Sequence, residues 1–290
     1  MKIGIIGTGM LGSAVGLRLL ESGFDLTAYN RTREKTRQLE EKGAKVADNP
    51  KQVAENSELV IIVVRDAKAV HQVSFEQNGI INGKHDKLTV ADMSTISPFE
   101  SKTITREFDA HGITKLDIPV MGGPNVAISG DLVVMTSGDR KAFETCKKVL
   151  ERIGNKVFFL GESGAAHSVK LAMNLQIAML ALSLSEGIML MRGAKIDPKV
   201  FLEILNSTYF KTGMSENKAY KMIEDKFEPT FTLENLKKDI SKIIETANHY
   251  ETQLPMIKKA EEIYQKATEQ GFGKIDYTGI LAYIEKINKQ

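Results

Sequence analysis

The stretch MKIGIIGTGMLG, residues 1–12, decides how the rest of the chain is read. Its apolar run 2–6 passes at once into Gly7-Thr8-Gly9-Met10-Leu11-Gly12, and a helical pattern begins around Leu11. A second β-rich run ends at Tyr29, so the glycines stand between a strand and a helix of a strand-helix-strand unit. Glycine allows a sharp turn and lets backbone come close to a pyrophosphate, which the N–H groups and positive end of the helix then hold. The spacing therefore predicts a dinucleotide-binding turn contacted through Gly7, Thr8, Gly9, Met10, Leu11 and Gly12.

About twenty residues beyond such a turn, a carboxylate normally receives the ribose 2′-hydroxyl of NAD. This chain has Asn30 there, followed by Arg31 and Thr32. A carboxylate would repel a 2′-phosphate, whereas a guanidinium pairs with it bidentately and Asn or Thr can donate hydrogen bonds. The expected cofactor is thus NADP(H), with Asn30, Arg31 and Thr32 at its phosphate.

Outward from this unit, β-rich runs at 2–6, 25–29, 59–64, 88–92, 113–117, 132–136 and 157–160 alternate with helical segments such as 33–42 and 98–111. Several runs are apolar almost throughout, as strands covered on both faces should be. Ser97 and Pro98 supply an N-cap and a first helical residue. The pattern predicts an α/β fold, a Rossmann-type doubly wound parallel sheet over residues 1–162. After Gly161 only helical spacing remains, broken at Pro198, Pro229 and Pro255, so residues 163–290 read as an all-α domain joined by a long helix at about 165–193. The apolar stretch 171–191 contains Asn174, Gln176 and Glu186, which are costly in hydrocarbon. It reads as a buried core helix, with Glu186 a hydrogen-bonded structural carboxylate.

Composition narrows the function further. Lys plus Arg number 39 and Asp plus Glu 37, a net charge of +2 that gives no global reason to expect nucleic acid. Cys146 is the sole cysteine, which excludes an intrachain disulfide and leaves no Cys/His zinc cluster to expect. The N-terminus lacks the layout of a secretory signal, and a reducing, cytoplasmic compartment is expected.

Two later segments carry chemistry: DIPVMGGP at 117–124 and GESGAAHSVKLAMN at 161–174. Lys170 and Asn174 are one helical turn apart and share a face, so an ammonium and an amide can converge on one substrate oxygen. An ammonium there stabilises the negative charge that develops when a carbonyl is reduced, and can deliver the proton. His167 shows neither a paired carboxylate nor nucleophile spacing, and reads as a polar residue in the first helical turn.

With the N-terminal turn, the Asn30-Arg31-Thr32 ending and a late Lys238-Asp239 pair, these segments form an ordered series over essentially the whole chain. In that series the chain resembles the β-hydroxyacid dehydrogenase family, which includes 3-hydroxyisobutyrate dehydrogenase, tartronate semialdehyde reductase and the glyoxylate/succinic semialdehyde reductases. The resemblance implies Lys170 as the catalytic general acid/base and Asn174 as a substrate ligand. It places Met121, Gly122 and Gly123 in the loop that holds the substrate carboxylate. Val64, Thr95, Phe231, Lys238 and Asp239 fall among the cofactor contacts. A small hydroxy acid or semialdehyde as substrate, and a homodimer or homotetramer, follow from the same resemblance.

The chain departs from the family pattern in two places. Met121 stands where most relatives have Ser or Thr, so a hydroxyl donor is missing. Lys211, in Asn206-Ser-Thr-Tyr-Phe-Lys-Thr-Gly213, either lines the substrate pocket, favouring a second negative group on the substrate, or points to solvent. Competing readings are a non-catalytic NADP-binding sensor of the same fold and a short relative of phosphogluconate dehydrogenase. The presence of both Lys170 and Asn174 weighs against the sensor.

Overall fold

The computed structural model describes residues 1–86 and 88–289. They divide into two compact units, Met1–Lys170 and the residues from Leu171 on.

The first unit alternates strand and helix. Its elements run β1 (Ile3–Ile6), α1 (Met10–Glu21), β2 (Leu26–Tyr29), α2 (Arg37–Glu41), β3 (Lys45–Val46), α3 (Pro50–Glu55), β4 (Leu59–Ile62), α4 (Ala67–Phe75) and β5 (Thr89–Asp92). Next come α5 (Pro98–Ala110), β6 (Thr114–Asp117), β7 (Val120–Met121), α6 (Pro124–Ser129), β8 (Leu132–Gly138), α7 (Arg140–Ile153) and β9 (Gly154–Phe159). Strands pair in the parallel order β3-β2-β1-β4-β5-β6. In register, Ile3 lies beside Leu26 on one side and Leu59 on the other.

Alternation along each strand feeds two separate cores, which is why the strands are apolar throughout. Ile3 and Ile5 of β1, with Leu59 and Ile61 of β4, point into a core closed by Val15, Leu19 and Phe143. Ile6, Val60 and Ile62 point the other way, against Val53, Val70 and Phe108. Asn49, Asp66, Ser97 and Asp139 cap α3, α4, α5 and α7, and at α5 Glu100 completes a capping box ahead of Pro98. Cys146 is sealed in the first core, and burial pushes its thiol up to about 11.

The sheet is not parallel to its end. β8 runs antiparallel to β6 and to β7, which both pair along one edge of it, and β9 lies parallel to β8 on the other. No full crossover helix stands between β6 and β8: the chain turns through two-residue β7 and six-residue α6, and so returns antiparallel. The expected helix at 33–42 is divided into a 3₁₀ turn, Arg33–Thr36, and the short α2.

The long helix α8 (Ala165–Gly193) begins in the first unit and continues into the second. It is followed by α9 (Pro198–Asn206), α10 (Gly213–Asn217), α11 (Ala219–Ile223), α12 (Leu233–His249), α13 (Pro255–Glu269) and α14 (Ile280–Asn288). Leu171, Ala178 and Leu182 of α8 pack with Leu236, Ile240, Ile257, Tyr264 and Ile284, and the fully buried Tyr264 hydroxyl donates to the Ala178 carbonyl at 3.2 Å. The core is narrower than the composition of α8 suggests. The helix is long and apolar enough to cross a membrane, yet only 39% of its most apolar window is buried, and Val169, Met173 and Leu190 are exposed. Glu186 is likewise exposed rather than a buried, bonded carboxylate.

A buried carboxylate ties the loops of the second unit together. Both oxygens of Asp276 accept from Lys218 Nζ at 2.9 Å, and Asp276 also takes the N–H and hydroxyl of Thr230 and of Thr278. Lys218 Nζ lies 4.2 Å from the Tyr277 ring centroid. Burial alone would raise the Asp276 carboxyl, but Lys218 and the N–H and hydroxyl donors hold it below its usual range.

Candidate active site

The glycine turn is built as its spacing requires. Gly7 has φ +96, and a Cβ there would stand 2.2 Å from the Val63 carbonyl oxygen. A Cβ on Gly12 would meet the Gly7 carbonyl oxygen at 1.9 Å, so only glycine lets α1 start this close to β1. Gly9 is different: nothing lies within 4 Å of the place its Cβ would take, and as N-cap of α1 it offers no side-chain acceptor. The first N–H groups of a twelve-residue helix are therefore presented to open space. Beside them, the buried Thr8 hydroxyl has no hydrogen-bond partner among the described residues. An open backbone cradle and an orphan hydroxyl are the donor set a pyrophosphate needs, and the turn fits a dinucleotide.

The neighbouring strand ends frame this cradle. Thr8 N–H donates to Asn30 Oδ1 at 3.1 Å, and Asn30 Nδ2 donates to the Thr32 carbonyl at 2.9 Å. Asn30 thus uses its amide to hold the turn and the following loop, a bracing role the sequence reading did not give it. Arg31 is exposed, with no hydrogen bond or ion pair among the described residues, whereas Arg33 pairs with Asp48 at 3.5 Å. Val64 packs against Gly7 and donates its N–H to Ser94 Oγ at 3.1 Å, and half-buried Thr95 follows. Met10 is exposed at the rim and Leu11 packs inward on the first core.

Lys170 occupies a second focus of the first unit. Its Nζ donates to the Val120 carbonyl at 2.8 Å and lies 3.3 Å from Met121 Sδ. The loop continues through Gly122, at φ +126, where a Cβ would strike Leu132 at 2.7 Å, to Gly123, which has no neighbour within 4 Å of its Cβ position. A lysine ammonium, a thioether, the exposed Gly122 and the half-buried Gly123 are thereby collected at one loop.

The candidates of the second unit gather on their own. Asn174, 1% exposed, donates from Nδ2 to Asp239 Oδ2 at 2.7 Å, and Lys238 Nζ pairs with Asp239 Oδ1 at 2.8 Å. Half-buried Phe231 meets the Tyr277 ring edge-on, centroids 6.0 Å apart. Lys211 does not join them: it is exposed and pairs with Glu216 at 3.0 Å.

Comparison with known proteins extends over nearly the whole chain. Residues 2–161 match the NAD-binding domain of 6-phosphogluconate dehydrogenase, and residues 164–284 match the NAD-binding domain of NADP-dependent 3-hydroxyisobutyrate dehydrogenase. The chain belongs to the β-hydroxyacid dehydrogenase family. It is 31% identical to the uncharacterized oxidoreductase YfjR of Bacillus subtilis, over 98% of this chain and all of that one. It is 28% identical to glyoxylate/succinic semialdehyde reductase 2 of Arabidopsis thaliana, over 97% and 78% of the two chains. A 3-hydroxyisobutyrate dehydrogenase from Salmonella typhimurium superposes with a TM-score of 0.90 at 25% identity, covering 98% of this chain and 99% of that one. This member of the family is accordingly an NAD(P)-dependent oxidoreductase acting on CH–OH groups.

One group of residues in this dehydrogenase escaped the sequence reading. Asp117, fully buried at the end of β6, accepts from Ser101 Oγ at 2.5 Å and from Lys115 Nζ on one oxygen. Ser137 Oγ at 2.8 Å, Ser163 Oγ at 3.2 Å and Gly164 N–H at 2.6 Å reach the other. His167 Nε2 is 3.5 Å from Asp117 Oδ1, so this histidine does have a carboxylate beside it. A signal was present in the sequence: Lys115 and Asp117 alternate onto one face of a strand expected to be covered on both faces, where a charge has no solvent.

Proposed function

We propose that this chain is an NADP(H)-dependent dehydrogenase/reductase of a small 3-hydroxy acid or semialdehyde, with Lys170 as general acid/base. The observation that carries the reading is the position of the Lys170 ammonium, on the Val120 carbonyl and against Met121 at the mouth of the Gly122-Gly123 loop. A nicotinamide, when bound, exchanges a hydride with the substrate carbon. Lys170 then faces the oxygen that gains negative charge, stabilising it and supplying a proton from Nζ. Gly122 and Gly123 offer backbone N–H groups for a carboxylate, a role that Met121 cannot share because a thioether has no proton to donate. Arg31, two residues past Tyr29, is a guanidinium with no hydrogen bond or ion pair among the described residues, which supports the preference for a 2′-phosphate.

The semialdehyde side is favoured by likeness to the Arabidopsis reductase, and Lys211 adds nothing to substrate charge while it stays on Glu216. NADPH oxidation measured against glyoxylate, succinic, tartronate and methylmalonate semialdehydes is the direct test, with the reverse reaction on 3-hydroxyisobutyrate. Turnover is expected with at least one. Lys170→Ala is expected to bind NADPH normally and to lose at least about a hundredfold in kcat, the usual scale of general acid–base assistance. Failure on every substrate would favour the non-catalytic sensor. Arg31→Asp is expected to reverse the NADPH/NADH preference, and an unchanged ratio of kcat/KM values would remove the NADP assignment. A homodimer or homotetramer would cover the exposed apolar residues of α8, and the solution mass decides this.

A further inference from the structure

The Lys170 ammonium reaches the Val120 carbonyl because two chain segments are held at a fixed separation. One runs from Asp117 to Val120, and the other from Ser163 through His167 to Lys170. Both leave from the same carboxylate. Asp117 accepts the Ser163 hydroxyl and the Gly164 N–H, and Ser137, itself a donor to Asp117, accepts the Ala166 N–H at 3.1 Å. The first N–H groups of α8 are capped by a residue about fifty positions earlier in the sequence, and the negative charge sits at the positive end of the helix.

We propose that Lys115, Asp117 and His167 form a buried positioning assembly that sets where Lys170 presents its ammonium. This rests on the reading of Lys170 as the general acid/base. Lys115 is not needed to satisfy the carboxylate: Ser101, Ser137, Ser163 and Gly164 already fill most of its acceptor sites. What Lys115 adds is charge. It lies fully buried against Asp117 and also donates to Ser101 Oγ at 3.0 Å. An ionised carboxylate accepts at both oxygens, whereas a protonated one must donate from one of them and release a donor there. By keeping Asp117 ionised, Lys115 keeps the Gly164 N–H and the Ser137 and Ser163 hydroxyls in place together. His167, fully buried, packs its Nε2 against Asp117 Oδ1 on the opposite segment, one turn before Lys170. Burial alone would raise the Asp117 carboxyl, but Lys115, His167 and the Gly164 N–H hold it well below the usual carboxylate range.

The test uses the full chain and the pair Lys115→Met/Asp117→Asn, which removes both charges together and leaves no lone buried ion. NADPH affinity reports on the glycine turn, and kcat and KM are read with succinic semialdehyde and glyoxylate. The titration of Lys170 is followed by NMR after ¹³C-dimethylation, its resonance identified by its loss in Lys170→Arg. The paired variant is expected to bind NADPH within about twofold of the parent, to lose at least about tenfold in kcat with little change in KM, and to titrate Lys170 at a different pH. A paired variant with parental kcat and parental Lys170 titration overturns the proposal. Should that variant not fold, His167→Gln decides: a displaced Lys170 titration supports the assembly, and an unmoved one overturns it. If Lys170→Ala stays active, the acid/base reading fails by itself, while the Lys170 resonance still answers whether the assembly positions the ammonium.

Discussion

In the first unit, Lys115 and Asp117 are both sealed completely from solvent, whereas in the second Lys218 keeps 27% of its side chain in water over an Asp276 that is 4% exposed. Each pair gathers distant segments onto one carboxylate. The Asp117 centre joins α5, β6, β8 and the start of α8, and the Asp276 centre joins residues 218, 230 and 276–278. The difference lies in what remains when a partner leaves. Water can reach part of the Lys218 site and has no route to Lys115, so the sealed pair depends on its partner far more than the wetted one.

Removing a single partner from each centre sharpens this contrast. Lys115→Met removes the main charge that keeps Asp117 ionised in a sealed site. The carboxyl then either stays charged without it or takes up a proton and releases a donor, and the change is expected to cost about 3–5 kcal/mol in urea unfolding. Lys218→Met is expected to cost about 1–3 kcal/mol, since Thr230 and Thr278 still donate to Asp276 and water can enter. Faster amide exchange at Thr230 and Thr278 should accompany it, both N–H groups being donors to that carboxylate. Equal losses at the two centres would break the comparison.

Acid should produce the smallest effect and separate the centres by degree. Both carboxyls are lowered in the folded chain, so the stability each contributes is complete above the unfolded carboxyl value near 4 and declines as pH falls towards the folded value. Stability falls in that range because the unfolded chain is already binding protons that the folded one still refuses. NMR of the Gly164 and Thr230 amides, which donate to the two carboxylates, would follow the loss of each set of bonds as the pH falls, with the wetted Asp276 centre expected to release first.

Much of the first unit was legible because its information is local. The spacing of the glycines at 7, 9 and 12, the apolar runs that fill two cores and the Ser97-Pro98-Glu100 start of α5 are each patterns contained in a short stretch of sequence, even where the contacts they make are distant. β3 and β7 were not legible, since two residues carry no periodicity. The reversal of β8 depends on how a short connection turns, and propensity does not record direction. At the site, Lys170 stood out by its one-turn spacing from Asn174 and by the resemblance of the segment that carries both. The role of Asn30 as a brace and of Asp117 as an anchor arises from contacts 22 and 47 residues apart, which no window of sequence contains.

The unbroken course of α8 through residue 170 bears on how enzymes of this family can be recombined. The boundary between the two matched family regions, 161 to 164, assigns Lys170 to the helical half, whereas its bonds to Val120 and Met121 lie wholly in the strand-rich half. A chimera spliced at that boundary would inherit its lysine from one parent and the carbonyl and carboxylate that locate it from the other. Crossovers placed after Lys170 would transmit lysine, loop and anchor as one heritable block, and libraries of swapped halves should retain activity more often when cut there.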